Sequence, residues 1–123
     1  KPAQAILADH PRILLTEPME YLQFAHLMDK SYLILTDSGG LQEEAPALGK
    51  PVLVLRNNTE RPEAVSAGTA MLAGTDRHSV YTKAARLLLD KSAYLAMAKA
   101  VNPYGDGQAC RRSIDAIARW ARL

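Results

Sequence analysis

The 123-residue chain is poor in cysteine and bulky aromatics, with one Cys, one Trp and one Phe, and its formal net charge is only +2. A single thiol closes no internal disulfide, so stability must come from a packed core, and Cys110 is expected as a small buried helix residue. Without an oxidising context, Asn57-Asn58-Thr59 reads as an unmodified loop despite its glycosylation-sequon form. No apolar run approaches the roughly 18 residues of a membrane helix, and no basic stretch leads into an apolar N-terminal segment. The expectation is a cytoplasmic chain with no membrane partner. Residue 1 is Lys, not Met, which points to a piece or a processed form of a longer chain.

Charge excludes a further class. Residues 1–76 carry 6 basic and 10 acidic side chains, whereas residues 77–123 carry 9 basic and 3 acidic. Only Arg111 and Arg112 are adjacent, and no aromatics alternate with them, so the basic residues read as solvated helix faces and no nucleic-acid partner is expected. The 3 histidines, His10, His26 and His78, show neither metal-ligand spacing nor a nucleophile partner. No metal, cofactor or catalytic residue is assigned.

What the chain does contain is a hydrophobic fraction of 48% against 23% charged, the balance of one folded domain. Apolar runs rich in β-formers lie at Arg12–Leu15, Tyr32–Asp37, Pro51–Arg56 and Ala70–Gly74. Their spacing is too long for hairpins and suits strand, crossover helix, strand, giving a parallel sheet buried on both faces. Between them, Glu20–Lys30 clusters Tyr21, Phe24, Ala25, Leu27 and Met28 on one side of a helix. Leu41–Leu48 reads as a second helix closed by Gly49, and Pro62 opens a third that Gly68 stops. After Thr75 the period turns helical. Val80, Ala84, Leu87 and Leu88 form one face, Tyr94, Leu95 and Met97 belong to the next helix, and Ile114, Ile117, Ala118 and Ala121 make the inward stripe of the last. The fold class is α/β, a Rossmann-like parallel sheet with a helical C-terminal extension.

The segment with most chemical content is Leu33-Ile34-Leu35-Thr36-Asp37-Ser38-Gly39-Gly40-Leu41-Gln42-Glu43-Glu44. A strand runs into a Ser-Gly-Gly turn and then a helix, the place where open parallel sheets bind ligands. Glycine allows close backbone approach, and free amides of a first helical turn favour a phosphate. Glu43 and Glu44, expected on that first turn, can each accept hydrogen bonds from a ribose diol. Equally, Asp37 or Ser38 can simply cap the helix while the carboxylates complement its dipole. The residues leave both readings open. A second candidate, Arg56–Glu63, leaves the next strand at the same edge, where its arginines can clamp a diphosphate or merely belong to a helix-opening loop.

Longer stretches add a family likeness. Thr36–Pro46, Gly49–Arg56, Thr59–Ala64, Ala67–Thr69, Gly74–Asp76 and Asn102–Gly107 together resemble the C-terminal part of the bacterial, non-hydrolysing UDP-N-acetylglucosamine 2-epimerases, in order and with compatible spacing. The resemblance implies a glycosyltransferase-B-like fold of which residues 1–123 are part of the C-terminal nucleotide-sugar-binding domain. It also implies interconversion of UDP-N-acetylglucosamine and UDP-N-acetylmannosamine for surface polysaccharides, by loss of the C2 proton, elimination of UDP and re-addition. Carried over, Ser38, Gly39 and Gly40 hold the diphosphate, Glu44 binds the ribose, Phe24 lies beside the uracil and Arg61 is a further nucleotide-sugar contact. Met19 stands where some relatives have Gln and is left out. The acid/base groups of the family lie upstream of Lys1, so the chain alone is expected to be inactive, and the whole protein to be a homodimer.

The same likeness poses a topological difficulty. With a strand order of 3-2-1-4-5-6 the strand at Arg12–Leu15 would have lost its neighbours, and must pair elsewhere, pack without a ladder or stay partly ordered. Self-association or marginal stability of the chain alone is therefore expected. Two alternatives to the epimerase remain at this stage: a glycosyltransferase of the same fold, and a UDP-sugar-binding module without catalysis.

Overall fold

Three short strands form the sheet of this computed structural model, which describes residues 2–121. They are β1 (Ile34–Thr36), β2 (Val52–Val54) and β3 (Ala70–Leu72), all parallel, in the order β1-β2-β3. Ile34 sits opposite Val52, and Val52 opposite Ala70. The helices are α1 (Pro2–Leu7), α2 (Tyr21–Lys30), α3 (Gly39–Ala47), α4 (Pro62–Ser66), α5 (Arg77–Leu89), α6 (Lys91–Ala98) and α7 (Ala109–Ala121). The expected α/β unit is present, with each of the three strands shorter than the apolar run that announced it.

Every residue of β2 is fully buried, because both faces of this central strand are covered. On one face Val52 and Val54 join Met28, Ile34, Ala45, Ala64 and Ala70, so α2, α3 and α4 pack there. On the other, Leu53 meets Ala73, Leu87 and Met97, which brings in α5 and α6. The result is a three-layer arrangement with β2 at its centre. All carboxyl ends of the strands point to one edge, where the loops into α3, α4 and α5 lie.

Gly49 shows why α3 stops where the sequence indicates. At φ 66° it occupies the left-handed region. Its N–H then reaches the Pro46 carbonyl at 3.0 Å and the Lys50 N–H reaches Ala45 at 3.1 Å, satisfying the last carbonyls before β2 begins.

Several expectations are corrected. Arg12–Leu15 is not a strand: it joins no ladder, and Leu14 is 86% exposed. A segment without a partner has no hydrogen-bond reason to be a strand, and Ile13 and Leu15 are exposed along with Leu14, so the segment neither joins the sheet nor packs into the core. Helix α3 begins at Gly39 rather than Leu41, which makes the glycine pair part of the first turn and moves Glu43 and Glu44 to the second. The buried face of α2 is narrower than expected, since Tyr21 and Leu27 are exposed. Leu88 likewise faces solvent. In α7 the stripe expected to point inward does not: no α7 residue is buried, and Ile114, Ile117 and Trp120 are exposed. Cys110 on the same helix is exposed too. Periodicity shows that a face is apolar, not that a partner is present to cover it.

The junction between α5 and α6 generates a prediction. The Asp90 carboxylate accepts from the Ser92 N–H at 2.9 Å, the Ser92 hydroxyl at 2.6 Å and the Ala93 N–H at 3.1 Å. The Ser92 hydroxyl foremost, then the Ala93 amide, hold its pKa below the ordinary value. A lowered carboxylate contributes stability above its unfolded pKa of about 3.9 and loses it as pH falls through the lower folded value. Asp90→Ala is thus expected to melt below wild type at pH 6, with the gap narrowing as pH falls under about 4; a gap that stays constant across thermal scans from pH 3 to 7 would contradict this.

Candidate functional site

At the start of α3 the helix has exposed amides and nothing of its own to satisfy them. First-turn N–H groups have no partner within a helix. Ser38, at the N-cap, makes no side-chain capping bond, and its own N–H donates to the Thr36 hydroxyl at 3.0 Å. Its hydroxyl is left available beside Gly39 and Gly40. Between the two open readings of this turn, simple capping by Ser38 is therefore not what the geometry shows.

Gly40 is informative by what does not surround it. Its φ lies outside the left-handed region, and a Cβ built on it would meet only the Ser38 Oγ at 3.8 Å and the Glu44 Oε1 at 4.0 Å. The fold does not require glycine there, and a helix disfavours it by about 1 kcal/mol relative to alanine. Close approach of another molecule to the backbone gives a reason for it. Gly39 differs, because a Cβ there would stand 2.6 Å from the Glu60 Oε1.

The two candidate segments are joined through a residue that the sequence did not single out. Gln42 is fully buried. Its Nε2 donates to the Ser38 carbonyl at 3.2 Å, and its Oε1 accepts from the Thr59 hydroxyl at 2.6 Å. That hydroxyl oxygen in turn accepts the Arg61 N–H at 3.0 Å. The relay fixes the Thr59–Arg61 loop against the first turn of α3. A polar residue at an inward position of an apolar helix was the available signal.

The remaining residues gather around the same two turns. Arg61 Nε donates to Glu43, and this bond raises the guanidinium pKa above its ordinary value. Glu44 faces the other way, accepting from the Tyr21 hydroxyl of α2 at 3.2 Å, which pushes the phenol upward. Phe24, one turn on from Tyr21, packs against the core and shares a hollow of about 230 Å³ with Leu41, the residue after Gly40. Tyr104, from the Asn102–Gly107 loop, packs on the same core, and burial raises its pKa most. Thus Phe24, Ser38, Gly39, Gly40, Glu44 and Arg61 all border the first two turns of α3. Two of the histidines make local contacts: His10 Nδ1 accepts from the Arg12 N–H, and His26 Nδ1 sits 3.0 Å from the Leu22 carbonyl. Among the described residues no cluster of His, Cys, Asp or Glu is arranged to hold a metal.

Gln42→Leu keeps the volume while removing the buried acceptor of the Thr59 hydroxyl and the side-chain donor to the Ser38 carbonyl. It is expected to destabilise the chain by about 1–3 kcal/mol in urea unfolding. An unchanged midpoint would show that the relay does not tie the loop to α3.

Comparison with known proteins gives a consistent picture. The family described as UDP-N-acetylglucosamine 2-epimerase matches residues 1–118. The chain is 56% identical over 117 residues to the UDP-N-acetylglucosamine 2-epimerase of Escherichia coli K12, covering 95% of this chain and 31% of that one. A crystal structure of the Neisseria meningitidis UDP-GlcNAc 2-epimerase bound to UDP-GlcNAc superposes with a TM-score of 0.91 at 47% identity, covering 96% of this chain and 32% of that one. The Methanocaldococcus jannaschii UDP-GlcNAc 2-epimerase, crystallised with UDP-GlcNAc and UDP, gives 0.75 at 37% identity, covering 94% and 30%. The chain therefore spans about a third of the length of these relatives, and with a match over nearly its whole length it belongs to the UDP-N-acetylglucosamine 2-epimerase family.

Proposed function

We propose that this chain is the UDP-binding part of a UDP-N-acetylglucosamine 2-epimerase, the whole protein interconverting UDP-N-acetylglucosamine and UDP-N-acetylmannosamine. The observation that carries the site is Gly40, a glycine in a helix that no contact or backbone angle demands. In this reading the diphosphate lies over the amides of Gly39 and Gly40 with the Ser38 hydroxyl as a further donor. Glu44 leaves the Tyr21 hydroxyl to accept the ribose hydroxyls, and Arg61 exchanges part of its bond with Glu43 for the nucleotide sugar. Phe24 offers its ring to the uracil. Family membership favours the epimerase over a glycosyltransferase of like fold. The whole protein is proposed to act as a homodimer in the bacterial cytoplasm.

Gly40→Ala separates ligand binding from folding. Alanine improves the helix by up to about 1 kcal/mol, so the melting temperature is expected to hold or rise. UDP affinity in calorimetric titration is expected to fall by at least about tenfold, equivalent to about 1.4 kcal/mol. Equal affinity in the folded variant would remove the diphosphate from this turn. Gly39→Val is also expected to weaken UDP binding, by about 1–3 kcal/mol, but it displaces the Glu60 carboxylate as well.

Proton abstraction at C2 needs a base within hydrogen-bond reach. The carboxylates bordering α3 are taken up by other groups, Glu43 by Arg61 and Glu44 by Tyr21, and the chain alone is expected to bind UDP without interconverting the two sugars. Conversion of UDP-N-acetylglucosamine by the purified chain, lost in Gly40→Ala, would overturn this expectation.

A further inference from the structure

Glu60 is an anion standing where the proposed function needs room for one. Its Oε1 lies so close above Gly39 that a Cβ there would be 2.6 Å away, so only a residue without a side chain lets the carboxylate rest on the first turn of α3. Arg56 holds it in place, Nη1 to Oε2 at 2.9 Å, four residues back along the loop that leaves β2. The pair is half-exposed, so the arrangement is held lightly and can open. Around it stand Arg61, whose Nη1 bonds the Glu60 carbonyl at 3.3 Å, with Glu43 on Arg61 and Glu44 behind Gly40. Helix N-termini attract negative charge, and the carboxylate of Glu60 stands beside Gly39 at that end of α3.

We infer that Glu60 is a displaceable internal anion that competes with the ligand's phosphates for the first turn of α3. This rests on the diphosphate site proposed above. A phosphate over Gly39 and the carboxylate in its present position cannot share that space, and their like charges repel. Binding therefore swings Glu60 outward, which breaks its bond with Arg56 and frees that guanidinium to face the incoming phosphate. Glu60 thus lowers affinity for diphosphates while pairing with Arg56. The uridine half of the ligand lies toward Phe24 and Glu44 and does not feel this competition.

The test is calorimetric titration of UDP and of uridine into the wild-type chain, Glu60→Gln and Gly40→Ala at low salt. Glu60→Gln keeps the shape and removes the charge, and its exposed position leaves the fold intact, which circular dichroism verifies. UDP is expected to bind about three- to fivefold more tightly to Glu60→Gln, the scale of one like charge at close range through water. Uridine affinity is expected to stay the same, and the UDP gain to shrink as salt rises. UDP affinity that is unchanged or weaker in Glu60→Gln, or uridine affinity that rises as much as that of UDP, overturns the competition. In either case a Gly40→Ala variant that still loses UDP leaves the diphosphate site standing. UDP binding indifferent to Gly40→Ala removes the site itself, and the role of Glu60 with it.

Discussion

The buried amide of Gln42 is the constraint on which the candidate site depends. It is one of few polar side chains wholly removed from solvent, and both of its functional groups are used. An amide in that position is costly unless every partner is supplied, so its partners are held where it needs them. One partner is the Ser38 carbonyl, at the very end of the loop from β1. The other is Thr59, in the loop from β2, which passes the restraint on to the Arg61 backbone. Two loops that the sheet merely brings to the same edge thereby become a single surface. Arg56 and Glu60, at the two ends of that second loop's first stretch, inherit their position from the same anchor.

Elements whose determinants are local were legible in the sequence. Gly49 and Gly68 stop their helices with left-handed backbone, Pro62 opens α4, and the three paired strands lie inside the runs that announced them. The Ser-Gly-Gly turn was found for its chemistry. What could not be read depended on partners. The inward position of Gln42 was readable but its role was not, because its partner Thr59 lies 17 positions away. Glu43 and Glu44, adjacent in sequence and chemically alike, point apart in space: one meets Arg61 from the following loop and the other Tyr21 from the preceding helix. The resemblance to the epimerases had chosen Glu44 for the ribose. In the structure both are engaged, Glu43 by a guanidinium and Glu44 by a phenol, so that choice rests on the resemblance.

Arg12–Leu15 and α7 failed for a related reason. Both carry apolar residues in a pattern that calls for cover, and both leave them in solvent, with Leu14 and Trp120 each 86% exposed. The β1 edge is in the same condition, since its only ladder partner among the described residues is β2. Core burial is concentrated on β2 and its two facing clusters, and it thins outward from there. Such a distribution favours a stable centre with poorly supported margins, where local opening costs less than global unfolding. Notably, the candidate site is built from α3, which packs directly on β1 and β2, and not from those margins.

Charge around α3 explains how a site for an anionic ligand can be rich in carboxylates. Glu43, Glu44 and Glu60 surround the turn, against Arg56 and Arg61. By side chains alone the turn is negative. In the proposed reading, attraction for a diphosphate therefore comes from elements that carry no formal charge, namely the unpaired amides and dipole of α3, which are fixed by the backbone and need no reorganisation. The arginines enter only when released from Glu43 and Glu60. Glu60 holds Arg56 and Glu43 holds Arg61, and in the proposed reading each release exchanges one ion pair for another of similar kind, so the net gain per exchange is small. On the same reading a ligand without phosphate leaves both ion pairs in place. Recognition of a diphosphate, as proposed, rests on the backbone of α3 rather than on an excess of positive charge, in keeping with a chain whose net charge is only +2.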